Sequence, residues 1–272
     1  MALPPLFARV RRALFLHAHP DDESLSTGGL IAALGDAGAA VRVVTCTRGE
    51  RGEVVPGPLS WLEGTPELAD HRVGELTRAL YELGAGTPCF LGEPRARALY
   101  RGPDFRYLDS GMSWGEDGRA QPAPDAPAGT FAGSPAARAD AIAAAKRFRP
   151  DVVVSYDSGG GYGHPDHRWA HEVARDAAAA VGVPFIEVVP AEASDAVDVA
   201  IDLAAKRRAL AAHASQLTLT ADGFVLSGGQ HHVLEPVERY RLSPAPAARP
   251  TTPRGVPWPP QRRAAPRRGA AP

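Results

Sequence analysis

The chain has 272 residues, of which 44% are hydrophobic and 22% are charged, and its formal net charge is −1. This length suits one large domain with a sizeable buried core, and the overall charge excludes a uniformly basic nucleic-acid binder. Two cysteines, Cys46 and Cys89, are too few for a disulfide framework, which indicates a reducing compartment. No apolar run approaches the roughly 18 residues of a membrane span. We therefore expect a cytoplasmic protein that binds neither nucleic acid nor a membrane.

Apolar, mostly β-branched runs alternate with helical periodicities along the first 190 residues. Strands are predicted at 13–16, 41–47, 89–91, 151–156 and 184–189, and helices from about 26 to 35, at 68–83, at 135–148 and after 167. The helix at 135–148 has Ser134 as its predicted N-cap and Pro135 at its first position. This alternation predicts an α/β fold, a Rossmann-like and mostly parallel sheet with helices on both faces.

Four other segments complete the chain. Residues 92–133 have no clear period and are predicted to form a long loop over the site, residues 206–213 a further helix, and residues 223–240 a hairpin-like pair of strands. The last segment, 243–272, contains nine Pro, six Arg and no acidic residue, and is predicted to be disordered. The predicted domain therefore spans 1–242 and carries a net charge of −7.

Two polar clusters follow two of the predicted strands. The first is HAHPDDE at 17–23, and the second is GGGYGHPDH at 159–167. Ligands of parallel sheets bind beyond the carboxyl ends of the strands, so both clusters are expected at one edge. Two imidazoles and a carboxylate make a metal site with an open position, which a catalytic Zn²⁺ uses to activate water. The predicted ligands are His19, Asp22 and His167.

Neighbouring side chains are expected to complete the chemistry. If Asp22 coordinates the metal, the adjacent Asp21 can accept a proton from the activated water as a general base. Tyr162 and His164 can donate hydrogen bonds to an oxyanion that forms at a carbonyl. Asp166 is expected to orient His164, as carboxylates commonly do for imidazoles.

Other interpretations compete with these assignments. His17 also suits a core histidine, and Glu23 also suits an acidic residue at a helix N-terminus. Two histidines and one carboxylate also form the iron site of non-haem Fe(II) oxygenases, although the alternation of strands and helices argues against their usual all-β fold. The chain has no GxGxxG after its first strand, no Walker A sequence and no GxSxG, which disfavours nucleotide binding and serine hydrolysis.

The two clusters resemble a known family. HAHPDDES at 17–24 and GYGHPDH at 161–167 resemble the LmbE/PIG-L superfamily of metal-dependent deacetylases, which act on N-acetylglucosamine conjugates. Four further segments resemble the branch that deacetylates the N-acetylglucosaminyl-inositol precursor of mycothiol: VVTCTRGERGEV at 43–54, HRVGELTRAL at 71–80, RYLDSGM at 106–112 and KRRALAAHASQ at 206–216.

The resemblance implies hydrolysis of the N-acetyl amide of a small glycoside, with one Zn²⁺, or alternatively Fe²⁺, per subunit. It implies the same metal ligands, the same base, and carbonyl polarisation or proton transfer by Tyr162, His164 and Asp166. It also implies a sugar and inositol pocket, formed by Glu53, Arg72, Asp109 and Met112. The alternatives within the superfamily are a mycothiol S-conjugate amidase and a deacetylase of another N-acetylglucosamine conjugate. His213 and Gln216 lie in the last resembling segment without an assigned role.

Overall fold

A seven-stranded sheet forms the centre of the protein, whose computed structural model describes residues 3–99, 105–116, 120–193 and 195–244. The strands are β1 (Arg12–His17), β2 (Ala40–Thr45), β3 (Cys89–Phe90), β4 (Ser113–Trp114), β5 (Ala120–Gln121), β6 (Val152–Tyr156), β7 (Phe185–Val188), β8 (Val197–Ala200), β9 (Leu217–Leu219), β10 (Gly223–Leu226), β11 (His231–Val233) and β12 (Val237–Leu242). The helices are α1 (Asp22–Asp36), α2 (Glu67–Glu82), α3 (Pro135–Phe148), α4 (Pro165–Val181) and α5 (Leu203–Ala212), with a 3-10 turn at Ser60–Leu62.

The strand order of the central sheet is β3-β2-β1-β6-β7-β12-β8. The first five strands in this order, β3 to β7, are parallel. At the other edge of the sheet, β12 pairs antiparallel with both β7 and β8. This architecture confirms the predicted α/β fold with a mostly parallel sheet. The strand order reverses direction between β1 and β6, which is where such sheets bind ligands.

Side chains of the central strands alternate between two hydrophobic cores, one on each face of the sheet. In β1, Leu14 and Leu16 pack with α3 and α4, whereas Ala13 and Phe15 pack with α1, α2 and α5. All four side chains are at most 1% exposed. Burying one large apolar side chain contributes about 1.5–3 kcal/mol, so the two cores hold β1 in place from both sides.

Two helices begin earlier than predicted, and both changes concern the site. Helix α1 starts at Asp22 rather than near residue 26, and α4 starts at Pro165 rather than after 167. The polar first turns carry no apolar periodicity, which is why the pattern missed them. As a result, Asp22 and His167 lie on the first turns of helices instead of in loops. The predicted N-cap of α3 is confirmed, because Ala137 N–H donates to Ser134 Oγ at 3.4 Å.

The segment 223–240 differs from the predicted pair of strands. β10 and β11 do form an antiparallel hairpin, but they join β9 in a separate three-stranded sheet, whereas β12 enters the central sheet. There the buried Glu238 of β12 accepts hydrogen bonds from the N–H groups of Gly29 and Leu30 in α1, each at 2.9 Å. Lys206 Nζ lies 2.7 Å from the same carboxylate, and so does the Tyr240 hydroxyl.

The predicted long loop 92–133 contains the short β4–β5 hairpin among its described residues. The predicted disordered tail lies outside the described residues from position 245 onward, and the domain boundary at 242 stays a prediction. Among the helices that the structure describes, none combines the length and the hydrophobicity needed to traverse a bilayer.

Candidate metal centre

The predicted ligands come from two elements that end at the same edge of the sheet. His19 lies in the turn between β1 and α1, Asp22 begins α1, and His167 lies in the first turn of α4, which follows β6. Because β1 and β6 are neighbouring parallel strands, their carboxyl ends bring the two clusters together. The two clusters therefore meet at one edge of the sheet, and the assignment of these three side chains as ligands stays a prediction.

The three predicted ligands contact one another pairwise, with Asp22 meeting His19 through Oδ2 and His167 through Oδ1. His19 Nδ1 is 3.3 Å from His167 Nε2 and 3.4 Å from Asp22 Oδ2, and His167 Nε2 is 3.3 Å from Asp22 Oδ1. A tetrahedral zinc ion with bonds of about 2.0–2.1 Å needs ligand atoms about 3.3–3.4 Å apart. The spacing of the two imidazole nitrogens therefore fits such an ion, and either oxygen of Asp22 is near enough to one of them to serve as the third ligand.

The remaining ring nitrogen of each histidine has its own partner. His19 Nε2 lies 3.2 Å from Asp166 Oδ2, and His167 Nδ1 lies 3.3 Å from the carbonyl oxygen of Gly160. An acceptor beside one nitrogen places the hydrogen there and leaves a lone pair on the other nitrogen. The nitrogens that a metal would take are thus Nδ1 of His19 and Nε2 of His167, the two atoms that face Asp22. Without a metal, burial opposes protonation of His19, but the carboxylates of Asp109, Asp166 and Asp22 outweigh it and raise the pKa of His19 well above its ordinary value.

Gly160 has to be glycine for this contact. Its φ is 71°, in the left-handed region, and an added Cβ would lie 2.8 Å from the backbone nitrogen of Arg168. The glycine therefore lets the loop approach the first turn of α4 closely enough for its carbonyl to meet His167.

His164 belongs to the same cluster but has a different bonding pattern. Its ligating atom lies within 4.8 Å of those of His19 and His167, so it is a further candidate ligand. However, its Nδ1 accepts a hydrogen bond from Asp166 N–H at 3.1 Å and thereby caps α4. Burial, followed by the charges of His19 and His167, lowers the pKa of His164 to about 3. His164 is therefore neutral and carries its hydrogen on Nε2, which makes it a hydrogen-bond donor.

Asp166 meets His164 through its backbone N–H and not through its carboxylate, which corrects the expectation from the sequence. Its buried carboxylate contacts His19 instead, and it also accepts hydrogen bonds from Ser110 N–H at 3.0 Å and Ala132 N–H at 3.1 Å. Both donors lie in the predicted loop over the site. Asp166 thus joins one candidate ligand to two points of that loop.

Asp21 lies between the two candidate ligands of the first cluster. Partial burial, followed by the negative charge of Asp22, raises the pKa of Asp21 to about 8. A general base works best when its pKa is near the operating pH. The backbone of Asp21 has φ 118° and ψ −32°, a conformation that a residue with a side chain rarely adopts.

Tyr162 lies at the solvent side of the cluster and is 59% exposed. Its ring centroid is 5.1 Å from that of His167 and 6.0 Å from that of His164. Tyr162 therefore lies at the surface beside the buried histidines, and its role as a hydrogen-bond donor stays a prediction.

The predicted pocket residues occupy different environments. Asp109 contacts the candidate ligands, because its Oδ1 is 3.6 Å from His19 Nε2, and only 4% of the residue is exposed. Burial opposes ionisation of Asp109, yet His19 outweighs that effect and lowers its pKa. Met112 is half-buried, three residues along the same loop. Glu53 is exposed at a cavity of about 300 Å³, which is lined by Glu50, Arg51, Gly52, Glu53, Glu63 and Gly64.

Arg72 lies beneath that cavity, and only 3% of it is exposed. Its guanidinium donates to the carbonyl oxygens of Gly49 and of Glu53, the latter at 2.8 Å. A Cβ at Gly52 would lie 2.2 Å from Arg72 Nη1, so that glycine leaves room for the guanidinium. Arg72 therefore fixes the loop that carries Glu53, and its direct contact with a sugar stays a prediction.

Sequence reasoning missed Tyr156, the last residue of β6. Its ring stacks on His167 at 4.2 Å between centroids and 7° between planes, and its hydroxyl accepts from Ala18 N–H at 2.9 Å. The hydroxyl also interacts with Asp22. Tyr156 thus supports two candidate ligands at once. Its position directly before the second cluster is the one feature that could have indicated this.

Comparison with known proteins gives a family match that spans both clusters. The family model described as GlcNAc-PI de-N-acetylase (PIG-L) matches residues 14–178. A protein of Kineococcus radiotolerans, named 1D-myo-inositol 2-acetamido-2-deoxy-alpha-D-glucopyranoside deacetylase, is 37% identical over 85% of this chain and 77% of its own length. A protein of the same name from Mycolicibacterium vanbaalenii is 37% identical over 85% of this chain and 90% of its own.

A solved structure shares the fold. The N,N'-diacetylchitobiose deacetylase from Pyrococcus horikoshii has a TM-score of 0.55 and 21% sequence identity, and the match covers 76% of this chain and 71% of that chain. At 21% identity, this match shows a shared fold, which is the arrangement of the sheet and its helices.

Proposed function

Because this chain belongs to the PIG-L family of de-N-acetylases, we propose that it hydrolyses the acetamide of an N-acetylglucosaminyl-inositol, 1D-myo-inositol 2-acetamido-2-deoxy-alpha-D-glucopyranoside. The products are acetate and the free amine, as in mycothiol biosynthesis. The observation that carries the proposal is the cluster of His19, Asp22 and His167 donor atoms, each pair of residues 3.3–3.4 Å apart, with Asp21 next to Asp22 in the chain. The names of the two relatives, each matched over 85% of this chain, support the choice of substrate.

We assign the metal to His19, Asp22 and His167, and propose one Zn²⁺ per chain. Two imidazole nitrogens and a carboxylate oxygen suit zinc, although Fe²⁺ accepts the same donors. When bound, such an ion acts as a Lewis acid toward the acetyl carbonyl and makes a water molecule acidic enough to attack at neutral pH.

The remaining steps belong to the side chains around those ligands. Asp21 takes the proton of the attacking water, which its raised pKa favours. The Tyr162 hydroxyl and Nε2–H of His164 donate hydrogen bonds to the oxygen of the acetyl group as negative charge develops on it. The proton that Asp21 has taken then passes to the leaving amine, because His164 is neutral and carries only the Nε2 hydrogen that it donates to the oxyanion.

The cavity next to the site supports a polyhydroxylated substrate. Glu50, Glu53 and Glu63 line it with carboxylates, which accept hydrogen bonds from sugar or inositol hydroxyls. Asp109 connects this cavity to the metal centre, because its backbone N–H donates to Glu50 Oε1 at 3.0 Å. We therefore place the acetamide at His19 and the inositol toward Glu53.

The test is release of a primary amine from N-acetylglucosaminyl-inositol, measured beside plain N-acetylglucosamine and beside a mycothiol S-conjugate. We expect turnover of the inositol conjugate to be the fastest, to stop with a chelator and to return with zinc. Faster cleavage of the S-conjugate would identify an amidase instead. Activity that a chelator leaves unchanged would exclude the metal mechanism.

A further inference from the structure

A buried carboxylate lies directly behind the proposed general base. Glu23, in the first turn of α1, is 0% exposed, and its Oε2 accepts a hydrogen bond from the backbone N–H of Asp21 at 3.0 Å. Its Oε1 lies 2.8 Å from His213 Nε2 and accepts from Ser24 Oγ at 2.5 Å. An acidic residue that only favours a helix N-terminus needs no such partners, since it acts on the helix dipole from the surface.

His213 directly follows the last residue of α5, and a residue just after it in the chain, Gln216, contacts its ring. His213 is 0% exposed, and its Nδ1 lies 3.1 Å from Gln216 Nε2. The same amide nitrogen donates to Glu75 Oε2 at 3.3 Å, and Glu75 also accepts from the N–H and hydroxyl of Ser215, both at 2.7 Å.

These contacts form a series that runs from Glu75 of α2 through Gln216, His213 and Glu23 to Asp21, and they fix which group donates in each hydrogen bond. The Glu75 carboxylate can only accept, so the NH₂ group of Gln216 faces it and also donates to Nδ1 of His213. His213 then carries its hydrogen on Nε2 and donates it to Glu23. Each group in the series has one orientation that satisfies both of its neighbours. At the end of the series, the N–H of Asp21 donates to Glu23.

The backbone at Asp21 needs such support. A φ of 118° is costly for a residue with a side chain and persists only where its surroundings determine it. Asp21 N–H is held by Glu23, and the Asp21 carbonyl accepts from Ser24 N–H at 2.9 Å and Leu25 N–H at 2.8 Å. The conformation of this residue decides where its carboxylate lies relative to Asp22.

We propose that His213 is a positioning residue for Asp21, acting through Glu23: it holds the strained backbone in the conformation that aims the Asp21 carboxylate at the reacting water. The inference rests on the proposed function of Asp21 as the base. It gives a role to the segment 213–216, which lies beyond the residues that the family model matches. His213 itself touches neither the candidate ligands nor the cavity among the contacts of the described residues.

Two substitutions of similar size separate positioning from packing. His213→Gln keeps an N–H donor for Glu23, whereas His213→Leu fills the space without one. In the zinc-loaded protein we expect His213→Leu to lower kcat roughly 10- to 100-fold with KM and zinc content unchanged, because small misplacements of reacting groups have effects of that size. His213→Gln should stay within about threefold of the parent by the same argument. Equal kcat values for the two variants would overturn the proposal.

A double-mutant cycle asks whether His213 acts through the base. Once Asp21→Asn has removed the carboxylate, adding His213→Leu should produce little further loss in single-turnover measurements. Losses that multiply would show that the two residues act independently and would contradict the proposal. Tyr240→Phe is the matched control, because it removes another buried hydrogen bond to a carboxylate that contacts α1, away from Asp21. It should leave kcat unchanged.

The NMR resonance of the Asp21 amide proton tests the positioning role without any substrate. The amide proton of Asp21, hydrogen-bonded to a carboxylate in the zinc-loaded parent, should resonate downfield, move upfield in His213→Leu and stay in place in His213→Gln. An unchanged resonance in His213→Leu would refute the positioning role even if no substrate were turned over. Failure of the parent on every N-acetyl substrate, with the resonance shifting as expected, would instead reject the proposed function alone.

Discussion

Asp166 Oδ2 lies 3.2 Å from Nε2 of His19, while the other nitrogen of the same ring faces Asp22 and His167. The two nitrogens of His19 therefore have separate tasks. Nε2 is bound to a carboxylate that is itself held by loop backbone, and Nδ1 is left for the metal. The orientation of His19 thus depends on residue 166 as much as on the turn that carries it.

We predict that Asp166→Asn weakens zinc binding about 10- to 100-fold, because loss of a carboxylate behind a ligating histidine commonly has that effect. Competition with a chromophoric chelator measures the affinity. Asp157→Asn is the control, because Asp157 lies in the loop before α4, its carboxylate accepts from Gly161 N–H at 3.2 Å, and asparagine keeps an oxygen there. Equal affinities in Asp166→Asn and the parent would contradict the assignment.

Asp21→Asn and His167→Ala should fail in different ways. We expect Asp21→Asn to lose roughly 10²- to 10⁴-fold in kcat, the usual contribution of a general base, while it retains zinc. His167→Ala removes one of three ligands, so it should lose both zinc and activity. Metal analysis of the purified variants together with amine release distinguishes the two. Wild-type turnover by Asp21→Asn would show that another group is the base.

Tyr156→Phe should reduce stability and zinc affinity together. It keeps the ring that stacks on His167 but removes the hydroxyl that serves Ala18 N–H and Asp22. Leaving one buried N–H without an acceptor costs about 1–3 kcal/mol. Urea unfolding of the metal-free variant measures that cost without any contribution from zinc. An unfolding free energy equal to that of the parent would mean that the hydroxyl contributes nothing.

The two members of the buried Glu238–Lys206 ion pair should differ in their effect on the free energy of unfolding. Glu238→Ala leaves the buried Lys206 ammonium without its carboxylate, which predicts a loss of about 3–5 kcal/mol. Lys206→Met leaves Glu238 with the donors Gly29, Leu30 and Tyr240, so its loss should be clearly smaller. Urea unfolding midpoints, compared at an unchanged dependence of the unfolding free energy on urea, test which variant is less stable. Equal losses of unfolding free energy in the two variants would refute the prediction.

Much of the fold could be predicted from local patterns. The strands at 13–16 and 151–156 follow from short apolar runs, and the parallel arrangement follows from their alternation with helices. That arrangement then predicts that the clusters at 17–23 and 159–167 meet at one edge. The proximity of His19 to His167, 148 residues apart, was therefore accessible without coordinates.

The contacts that orient the site were not accessible in the same way. Asp166 meets backbone groups at Ser110 and Ala132, and these lie in a segment without periodicity, whose path no sequence rule specifies. His213 reaches Glu23 across 190 residues through side chains alone. Such contacts depend on the packing of α5 against α1, which a hydrophobic pattern predicts only as burial and not as register.

The positive φ of Asp21 lowers the stability of the fold while it serves the proposed activity. Glycine adopts that conformation freely, and relief of about 1–3 kcal/mol of strain exceeds the roughly 0.5–1 kcal/mol that glycine adds to the entropy of the unfolded chain. A library selected only for heat resistance should therefore accumulate glycine at position 21 and yield robust but inactive proteins. Selection for thermostable variants of this enzyme has to score turnover at every round.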